Sequence, residues 1–330
     1  MLHQSVLSVA PLRLSFVGGG SDIPSFYEIH DGAVVSASID KYVYVHIKRH
    51  DPLFQERYRI SYSEVEHTQN RSDIKNKIVK ACLEKLDIDE PLQISTSADL
   101  PSSSGLGSSS SFAVALLLGL HALRGEEVSP IQVAEEACDV EMSYLNSPIG
   151  KQDQYAAAFG GLNHFHFKKD GRVLIEPLNI SKSNAQNLFE RSILIWSGQT
   201  RDAGVILEDQ SRRAEENSRN LSQISNLAEV FKKQLIKDEL DWPEIGRLIS
   251  NGWKLKKLLS PKISTPEVSE IVSKLEQTDC YGYKLLGAGG GGFVYALVNN
   301  ISMLDLSEFK AMRILHPKLD QLGARVVSVK

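Results

Sequence analysis

A run of glycine and serine leads directly into an apolar segment in the first half of this chain. Residues 99–120 read DLPSSSGLGSSSSFAVALLLGL, and the apolar part predicts a buried helix over residues 112–124. A glycine-rich turn before a helix presents unpaired backbone N–H groups and the positive end of the helix dipole. The stretch therefore predicts an anion site, and phosphate is the usual anion. A flexible loop with an ordinary serine cap is the alternative.

Composition and charge narrow the class of protein. The chain has 330 residues, 42% of them hydrophobic and 24% charged, which predicts a globular protein of about two domains. A net charge of −4 gives no basic footprint, so we expect neither a nucleic-acid partner nor a membrane surface. Cys82, Cys138 and Cys280 are far apart and predict structural thiols. No signal peptide is visible and the longest apolar run is too short for a bilayer, so we expect a cytoplasmic protein.

The order of predicted elements is mixed and shows no regular alternation of strand and helix. It predicts α+β architecture in two domains, residues 1–187 and 188–330. We expect, in order, strands at 11–19, 34–49 and 92–99, helices at 112–124 and 130–146, a hairpin at 160–178 that turns at Asp170-Gly171, a strand at 192–196, helical structure over 203–260, strands at 281–286 and 293–298, a helix near 305–316 and a strand at 324–330.

Two further segments are rich in glycine: GGGSD at 18–22 and GAGGGG at 287–292. The second segment formally matches G-x-G-x-x-G, but a strand-like sequence follows it and the dinucleotide-binding context is missing. It is either a tight connection between two strands or a turn whose backbone approaches a ligand. The chain has no Gly-Lys-Ser/Thr, so the serine-rich run is not a Walker A loop.

Two carboxylates lie in contexts that suggest chemistry. Glu141 falls on the small apolar face of the helix predicted at 130–146, where a carboxylate needs either a metal ion or a buried salt bridge. Asp153 is either the N-cap of a helix that runs to Phe159 or a general base near the end of the Glu141 helix. Both roles are compatible.

Four other polar residues have an ordinary interpretation beside a functional one. Arg13 lies in the middle of a strand and could be exposed, and Asp22 could be a simple turn residue. Arg201 could be solvated, and Lys151 is expected on the surface. The residues alone leave these alternatives open.

The glycine-rich segments occur in an order that resembles a known family. PLRLSFVGGGSD, DLPSSSGLGSSSS and KLLGAGGGGF resemble motifs one, two and three of the GHMP kinases, and they span residues 11–293. Galactokinase, homoserine kinase, mevalonate kinase and phosphomevalonate kinase belong to this family. The resemblance implies a first domain like the second domain of ribosomal protein S5 and a ferredoxin-like second domain, with ATP and Mg²⁺ bound between them.

The resemblance also implies roles for individual residues. Asp153 would be the catalytic base and Arg13 its partner, and Ser109 and Glu141 would ligate Mg²⁺. The residues implied to bind ATP are Pro101, Ser103, Ser104, Gly105, Leu106, Gly107, Ser108, Ser109 and Ser110. The residues implied to bind substrate are Gly19, Gly20, Ser21, Asp22, Asp153, Arg201, Gly289 and Gly290. On charge alone, Arg201 and then Lys151 are candidates for a phosphate carried by the substrate.

The motifs also resemble one group within the family more than others. The chain has GGGSD where galactokinase has Gly-Glu-His-Thr-Asp, which argues against galactose. The combined motifs are most similar to those of bacterial D-glycero-D-manno-heptose 7-phosphate kinases, which phosphorylate the anomeric C1 hydroxyl for nucleotide-activated heptose and surface polysaccharide. An L-fucokinase-like enzyme, a non-catalytic sensor of ATP and sugar, and an ATP-dependent decarboxylase are the alternatives. The expected partners are ATP and a small sugar or sugar phosphate, and a homodimer is a candidate assembly.

Overall fold

The computed structural model describes residues 3–200, 203–300, 309 and 312–330. The strands are β1 (Ser5–Val17), β2 (Gly32–Arg49), β3 (Tyr58–Ser61), β4 (Val65–Thr68), β5 (Leu92–Ala98), β6 (Leu162–Phe167), β7 (Val173–Pro177), β8 (Ser192–Trp196), β9 (Cys280–Leu285), β10 (Phe293–Val298), β11 (Ile314–Leu315) and β12 (Arg325–Val329). The helices are α1 (Pro24–Tyr27), α2 (Lys77–Lys85), α3 (Ser108–Leu123), α4 (Pro130–Asp139), α5 (Gln152–Phe159), α6 (Lys182–Glu190), α7 (Ala203–Arg212), α8 (Ser218–Leu235), α9 (Trp242–Lys257) and α10 (Pro266–Leu275).

These strands form two sheets, as the α+β prediction requires. The first has the order β12-β1-β2-β5-β3-β4, and β6 and β7 extend it from the other half of β2. The strand β2 is long enough to pair with two strands on the same side: residues 32–37 pair with β6 and residues 43–49 pair with β5. The second sheet has the order β11-β8-β10-β9, with β9 and β10 antiparallel on either side of the GAGGGG turn. The predicted strands and the hairpin at Asp170-Gly171 are therefore confirmed.

Helix α3 lies against β1 and β2 and is apolar on nearly every side. The hydroxyl of Ser8 on β1 donates to the carbonyl of Ala115 at 2.7 Å, so helix and sheet are in close contact. The helix begins at Ser108, four residues before the predicted start, with Gly107 as its N-cap. The hydroxyl of Ser111 bonds to the carbonyl of Pro11 at 2.8 Å, which anchors the first turn on β1. The serines 108–111 thus belong to the helix and not to the loop.

Three other predicted elements differ in the structure. The helix predicted at 130–146 is α-helical only to Asp139 and continues as a π-helical turn over Val140–Tyr144. The helical region 203–260 divides into α7, α8 and α9. Half of the helix predicted near 305–316 falls on residues outside the described ranges, and its last part is wrong, because Ile314 and Leu315 pair with β8 as a short edge strand.

The last strand returns to the first sheet. Residues of β12 pair antiparallel with Val6–Val9 of β1, and the backbone N–H of Lys330 donates to the carbonyl of Ser5 at 2.9 Å. The division at residue 187 stays a prediction, and the first sheet takes in the end of the chain as well as its beginning. Among the described residues, no helix combines the length and apolarity that a membrane span requires.

Candidate functional site

A cavity of about 360 Å³ lies where β1, the start of α3, the start of α5 and α9 meet. Two glycine-rich segments touch at its wall. Gly105 has φ +85°, and a Cβ there would lie 2.7 Å from the carbonyl oxygen of Leu286. The serine-rich segment can therefore approach the turn after β9 only with a glycine at this position. The turn contributes Gly287 and Ala288 to the wall.

Arg13 and Asp153 form a bidentate ion pair inside the cavity. The Nε and Nη2 groups of Arg13 donate to the two carboxylate oxygens of Asp153 at 2.7 and 2.8 Å. The third donor, Nη1, bonds to the carbonyl of Gly105 at 2.7 Å, which ties the pair to the serine-rich segment. The Arg13 side chain is 4% exposed and that of Asp153 is 23% exposed, so the arginine is buried behind an accessible carboxylate. The interpretation of Arg13 as an exposed strand residue is wrong.

Asp153 is not the N-cap of its helix. Lys151 occupies the cap position of α5 without a capping hydrogen bond, and Asp153 lies within the first turn. Both of its oxygens are held by Arg13 from another element. The capping interpretation is therefore wrong, although a carboxylate in the first turn still complements the helix dipole.

Asp22 lies beside this pair and is buried. Its Oδ1 accepts from the backbone N–H of Gly20 at 2.9 Å and from the side-chain amide of Gln152 at 3.1 Å. Burial raises the pKa of Asp22, the N–H of Gly20 opposes that rise, and the nearby carboxylate of Asp153 adds to it. A Cβ at Gly150 would lie 1.9 Å from Asp22 Oδ2, so this carboxylate fits only against a glycine.

The start of α3 faces the cavity without a side-chain cap. Gly107 is its N-cap residue, and the helix start has no side-chain capping hydrogen bond among the described residues. Ser108, Ser109 and Ser110 line the cavity together with Ser103. Uncapped N–H groups at a helix start, with hydroxyl donors beside them, make a site for an anionic ligand. The arrangement favours the phosphate-binding interpretation over an ordinary serine cap.

Glu141 enters the cavity from the π-helical turn. The Ser109 hydroxyl donates to its Oε1 at 2.5 Å and the Gln154 amide donates to its Oε2 at 2.6 Å. Burial raises the pKa of Glu141, and the hydroxyls of Ser109 and Ser110 oppose that rise. Among the described residues no cation pairs with it, so the salt-bridge alternative is wrong for these residues. A buried carboxylate and hydroxyl oxygens without a cation are hard donors that suit Mg²⁺.

Lys256 lines the cavity although no sequence motif pointed to it; it lies on α9 and is 8% exposed. Its ammonium donates to the carbonyl of Gly287 at 2.6 Å and lines the cavity. Burial lowers the pKa of Lys256 to about 8, against the opposing effect of the Asp22 carboxylate. A signal existed: with Ile245, Ile249 and Trp253, this lysine follows the buried stripe of an amphipathic helix.

A second buried lysine joins the two sheets behind the cavity. Lys284 on β9 donates to the carbonyls of Ser15 and Phe16 on β1, at 2.7 and 3.1 Å. Burial lowers the pKa of Lys284 well below its usual range, and the charge of Lys256 lowers it further.

Several predicted site residues lie off the cavity wall. Leu106 is buried in the core, and the Ser104 carbonyl accepts from Phe293 N–H at 3.1 Å, so both have structural roles. The Ser21 hydroxyl is buried against the carbonyls of Gly18 and Ala33. The predicted residues that do not line the cavity are Pro101, Ser104, Leu106, Gly19, Ser21, Gly289 and Gly290.

Gly289 and Gly290 of the GAGGGG turn pack against the loop that contains Ile263. A Cβ at Gly289 would lie 2.9 Å from the Cα of Ile263, and Gly290 N–H donates to the carbonyl of Ile263 at 2.8 Å. The GAGGGG turn thus faces the cavity at Gly287 and Ala288 and forms a tight structural connection beyond them.

Of the two candidates for a substrate phosphate, Lys151 lies among the described residues, and it does not line the cavity. The ammonium of Lys151 donates to the carbonyl of Gly171 at 2.7 Å and lies 5.2 Å from the ring centre of Tyr27. In this arrangement the ammonium is directed to Gly171 and away from the cavity wall, and the role of Lys151 as a phosphate ligand stays a prediction. Arg201 lies outside the described residues and stays a prediction.

A larger cavity lies elsewhere, between α6, β6 and residues 316–321, with a volume of about 1050 Å³. Phe159, Leu178, Ile180 and Phe189 contribute to its wall. The paired Arg13 and Asp153 and the start of α3 line the smaller cavity and not this one.

The geometry of the smaller cavity agrees with comparisons to known proteins. The profile of the GHMP kinases N terminal domain matches residues 74–161, and that of the GHMP kinases C terminal domain matches residues 231–305. The chain is 30% identical over 326 residues to D-glycero-alpha-D-manno-heptose 7-phosphate kinase of Campylobacter jejuni, which covers 94% of each chain. This protein belongs to the GHMP kinase family. It is accordingly an ATP-using phosphotransferase with an alcohol group as acceptor.

Two further similarities extend the comparison. The kinase is 27% identical over 318 residues to the bifunctional fucokinase/GDP-fucose pyrophosphorylase of Arabidopsis thaliana, which covers 88% of this chain and 29% of that one. The crystal structure of a D-glycero-D-manno-heptose 1-phosphate kinase from Bacteroides thetaiotaomicron matches with a TM-score of 0.79 over 98% and 99% of the two chains. At 23% identity that structure shows a shared fold, and the predicted fold class is confirmed.

Proposed function

We propose that this sugar kinase transfers the γ-phosphate of ATP to the C1 hydroxyl of D-glycero-D-manno-heptose 7-phosphate and forms the 1,7-bisphosphate. The observation that carries the proposal is the bidentate pair of Arg13 and Asp153 in one cavity with the uncapped start of α3. Similarity to the heptose 7-phosphate kinase of C. jejuni supports the choice of sugar. The product would serve the synthesis of nucleotide-activated heptose and surface polysaccharide.

Asp153 is the proposed base. Its carboxylate is the accessible member of the ion pair and accepts the proton of the attacking hydroxyl, while Arg13 holds both oxygens and fixes their direction. Asp22 is held by Gly20 and Gln152 next to this carboxylate and is proposed to bind sugar hydroxyls.

The start of α3 is proposed to bind the nucleotide phosphates through its N–H groups and the hydroxyls of Ser108 and Ser109. Ser109 and Glu141 would hold Mg²⁺, and a bound Mg²⁺ supplies positive charge to the phosphates. Lys256 adds an ammonium to the same cavity, where it can face the transferring group. Phosphoryl transfer depends mainly on positioning and charge stabilisation, which these residues provide.

The 7-phosphate of the sugar needs a cation that is free of the Arg13–Asp153 pair. Arg201 stays the proposed partner, in the SGQTRDAG segment that precedes α7. Leu207 and Gln210 of α7 line the cavity, so the helix that follows Arg201 in sequence lies beside the proposed site.

A screen of ATP consumption separates this proposal from its alternatives. The acceptors are D-glycero-D-manno-heptose 7-phosphate, L-fucose, galactose, mannose and glucuronate, and ³¹P NMR of the product locates the new phosphate. We expect the highest kcat/KM with heptose 7-phosphate and a new phosphate at C1. A higher kcat/KM with L-fucose would favour the fucokinase alternative, which the similarity to the A. thaliana enzyme keeps open. Nucleotide binding without turnover of any acceptor would favour a sensor.

A further inference from the structure

A cluster of imidazoles and carboxylates lies outside the cavity, where β6 and β7 meet α8. His164 and His166 are two residues apart on β6, so their side chains leave the same face of the strand. Their ring centres are 4.1 Å apart, and Glu229 of α8 lies against both rings. None of the catalytic roles proposed above uses these groups.

Three atoms of the cluster lie within 4.8 Å of one another, and two of their separations match a tetrahedral metal site. Glu229 Oε1 lies 3.5 Å from His164 Nε2 and 3.6 Å from His166 Nδ1. Ligands that bind Zn²⁺ at about 2.0–2.1 Å in a tetrahedron lie about 3.4 Å from one another. The observed separations are close to that value, and they are too long for good hydrogen bonds.

His164 is the residue that most clearly requires a ligand. Its side chain is 0% exposed, and its Nε2 has no hydrogen-bond partner. Buried polar atoms normally have partners, so an unpaired imidazole nitrogen needs an explanation. His164 Nδ1 lies 3.4 Å from Glu176 Oε2, and the tautomer that donates from Nδ1 to this carboxylate has its lone pair on Nε2.

The carboxylate of Glu176 completes an arrangement that is common around metal-bound histidines. Glu176 accepts from His164 Nδ1 and from the ammonium of Lys232, the latter at 2.8 Å. Metal-bound histidines commonly donate their other ring N–H to such a carboxylate, which fixes the tautomer. Lys232 lies 3.5 Å from Glu229 Oε2, on the oxygen that the imidazoles do not approach. The carboxylates of Glu176 and Glu229 and the ammonium of Lys232 have a net charge of −1, which favours the binding of a divalent cation.

We propose that His164, His166 and Glu229 bind one Zn²⁺ ion, with water as the fourth ligand, and that the ion joins β6 to α8. His166 is 29% exposed and Glu229 is 39% exposed, so the ion can enter from solvent. Helix α8 comes from the second half of the chain and packs on β1 and β2 of the first sheet. The ion therefore braces this packing and is independent of the proposed substrate.

The first test uses the full chain without an affinity tag, stripped of metal by a chelator and free of Mg²⁺ and nucleotide. Competition with a chromophoric zinc chelator measures stoichiometry and affinity, and Co²⁺ absorption reports the coordination geometry. We expect one equivalent of Zn²⁺, a tetrahedral Co²⁺ spectrum and a higher unfolding temperature with Zn²⁺. Absence of stoichiometric uptake by the wild-type chain overturns the proposal, whether or not any variant folds.

Matched variants assign the ligands. His166→Ala and Glu229→Gln change partly exposed side chains, so both variants should fold. Loss of a carboxylate that only orients a ligand, as in Glu176→Gln, is expected to weaken Zn²⁺ affinity roughly 10–100-fold. Loss of a direct ligand in His166→Ala or Glu229→Gln should therefore weaken it more than about 100-fold. His67→Ala removes an exposed histidine on β4 and should leave affinity unchanged. Equal affinity in the wild type, His166→Ala and Glu229→Gln would mean that the ion binds elsewhere, which overturns the assignment.

Discussion

Replacement of Lys256 by methionine would test how the cavity holds its buried amine. Burial lowers the pKa of Lys256 from 10.5 to about 8 in the folded chain. At about 1.36 kcal/mol for each pKa unit, keeping the ammonium buried at pH 7 costs about 3 kcal/mol. Methionine has a similar length and no charge, but it loses the hydrogen bond to Gly287, worth about 1 kcal/mol. We expect Lys256→Met to raise the free energy of unfolding at pH 7 by about 2 kcal/mol.

The stability gained in Lys256→Met should decrease as the pH rises. The folded pKa of Lys256 is below the unfolded value, so between about pH 8 and 10.5 the unfolded chain binds more protons than the folded chain. Wild-type stability therefore rises relative to the variant across this window. The charged groups that face Lys256 are Asp22, Asp153, Arg13 and Lys284, and they are present in both proteins. The advantage of the variant should be complete below pH 8 and lost by about pH 10.5.

Urea unfolding of the wild type and Lys256→Met at pH 7, 8, 9 and 10 measures this difference. Lys254→Met is the matched control, because Lys254 lies on the same helix with an exposed side chain and should change stability little. Kinase activity should fall in Lys256→Met and persist in Lys254→Met. A difference that does not change with pH, or a variant less stable at pH 7, would refute the reasoning, since Asp22 and Asp153 would then outweigh the cost of burial.

Three further substitutions address the cavity directly. Asp153→Asn should lower kcat by roughly 10²–10⁴ in a chain that still folds but is less stable, because the buried Arg13 loses its carboxylate partner, and normal turnover in steady-state kinetics would remove Asp153 as the base. Glu141→Gln should raise the Mg²⁺ concentration needed for half-maximal rate, because the amide keeps the size and loses the charge; an unaltered Mg²⁺ titration contradicts the assignment. Gly150→Ala places a Cβ 1.9 Å from Asp22 Oδ2, so we expect a loss of about 1–3 kcal/mol in urea unfolding and a higher KM for the sugar. Wild-type stability in Gly150→Ala would contradict the packing described here.

Local pattern was sufficient for most of the fold. Alternating residues predicted β1, β2 and β5, although burial alternates clearly only in part of β2 and in β5, and most of β1 is buried on both faces. The helix predicted from residue 130 does begin there as α4, where the Ser129 hydroxyl accepts from Gln132 N–H. The start of α3 was misplaced, because the serines that resemble a loop form its first turn against Pro11. The family followed from three motifs in order and is confirmed.

The composition of the candidate site depended on contacts between distant residues. Arg13 and Asp153 are 140 positions apart, and no local pattern separates a helix cap from the partner of a buried arginine. Lys256 reaches the cavity from α9, and Lys151, near in sequence to Asp153, bonds to Gly171 instead. Hydrophobic periodicity and helix capping involve residues only a few positions apart, so they can be predicted from the sequence. Ion pairs and desolvated charges arise only when packing removes water from side chains that the sequence keeps far apart.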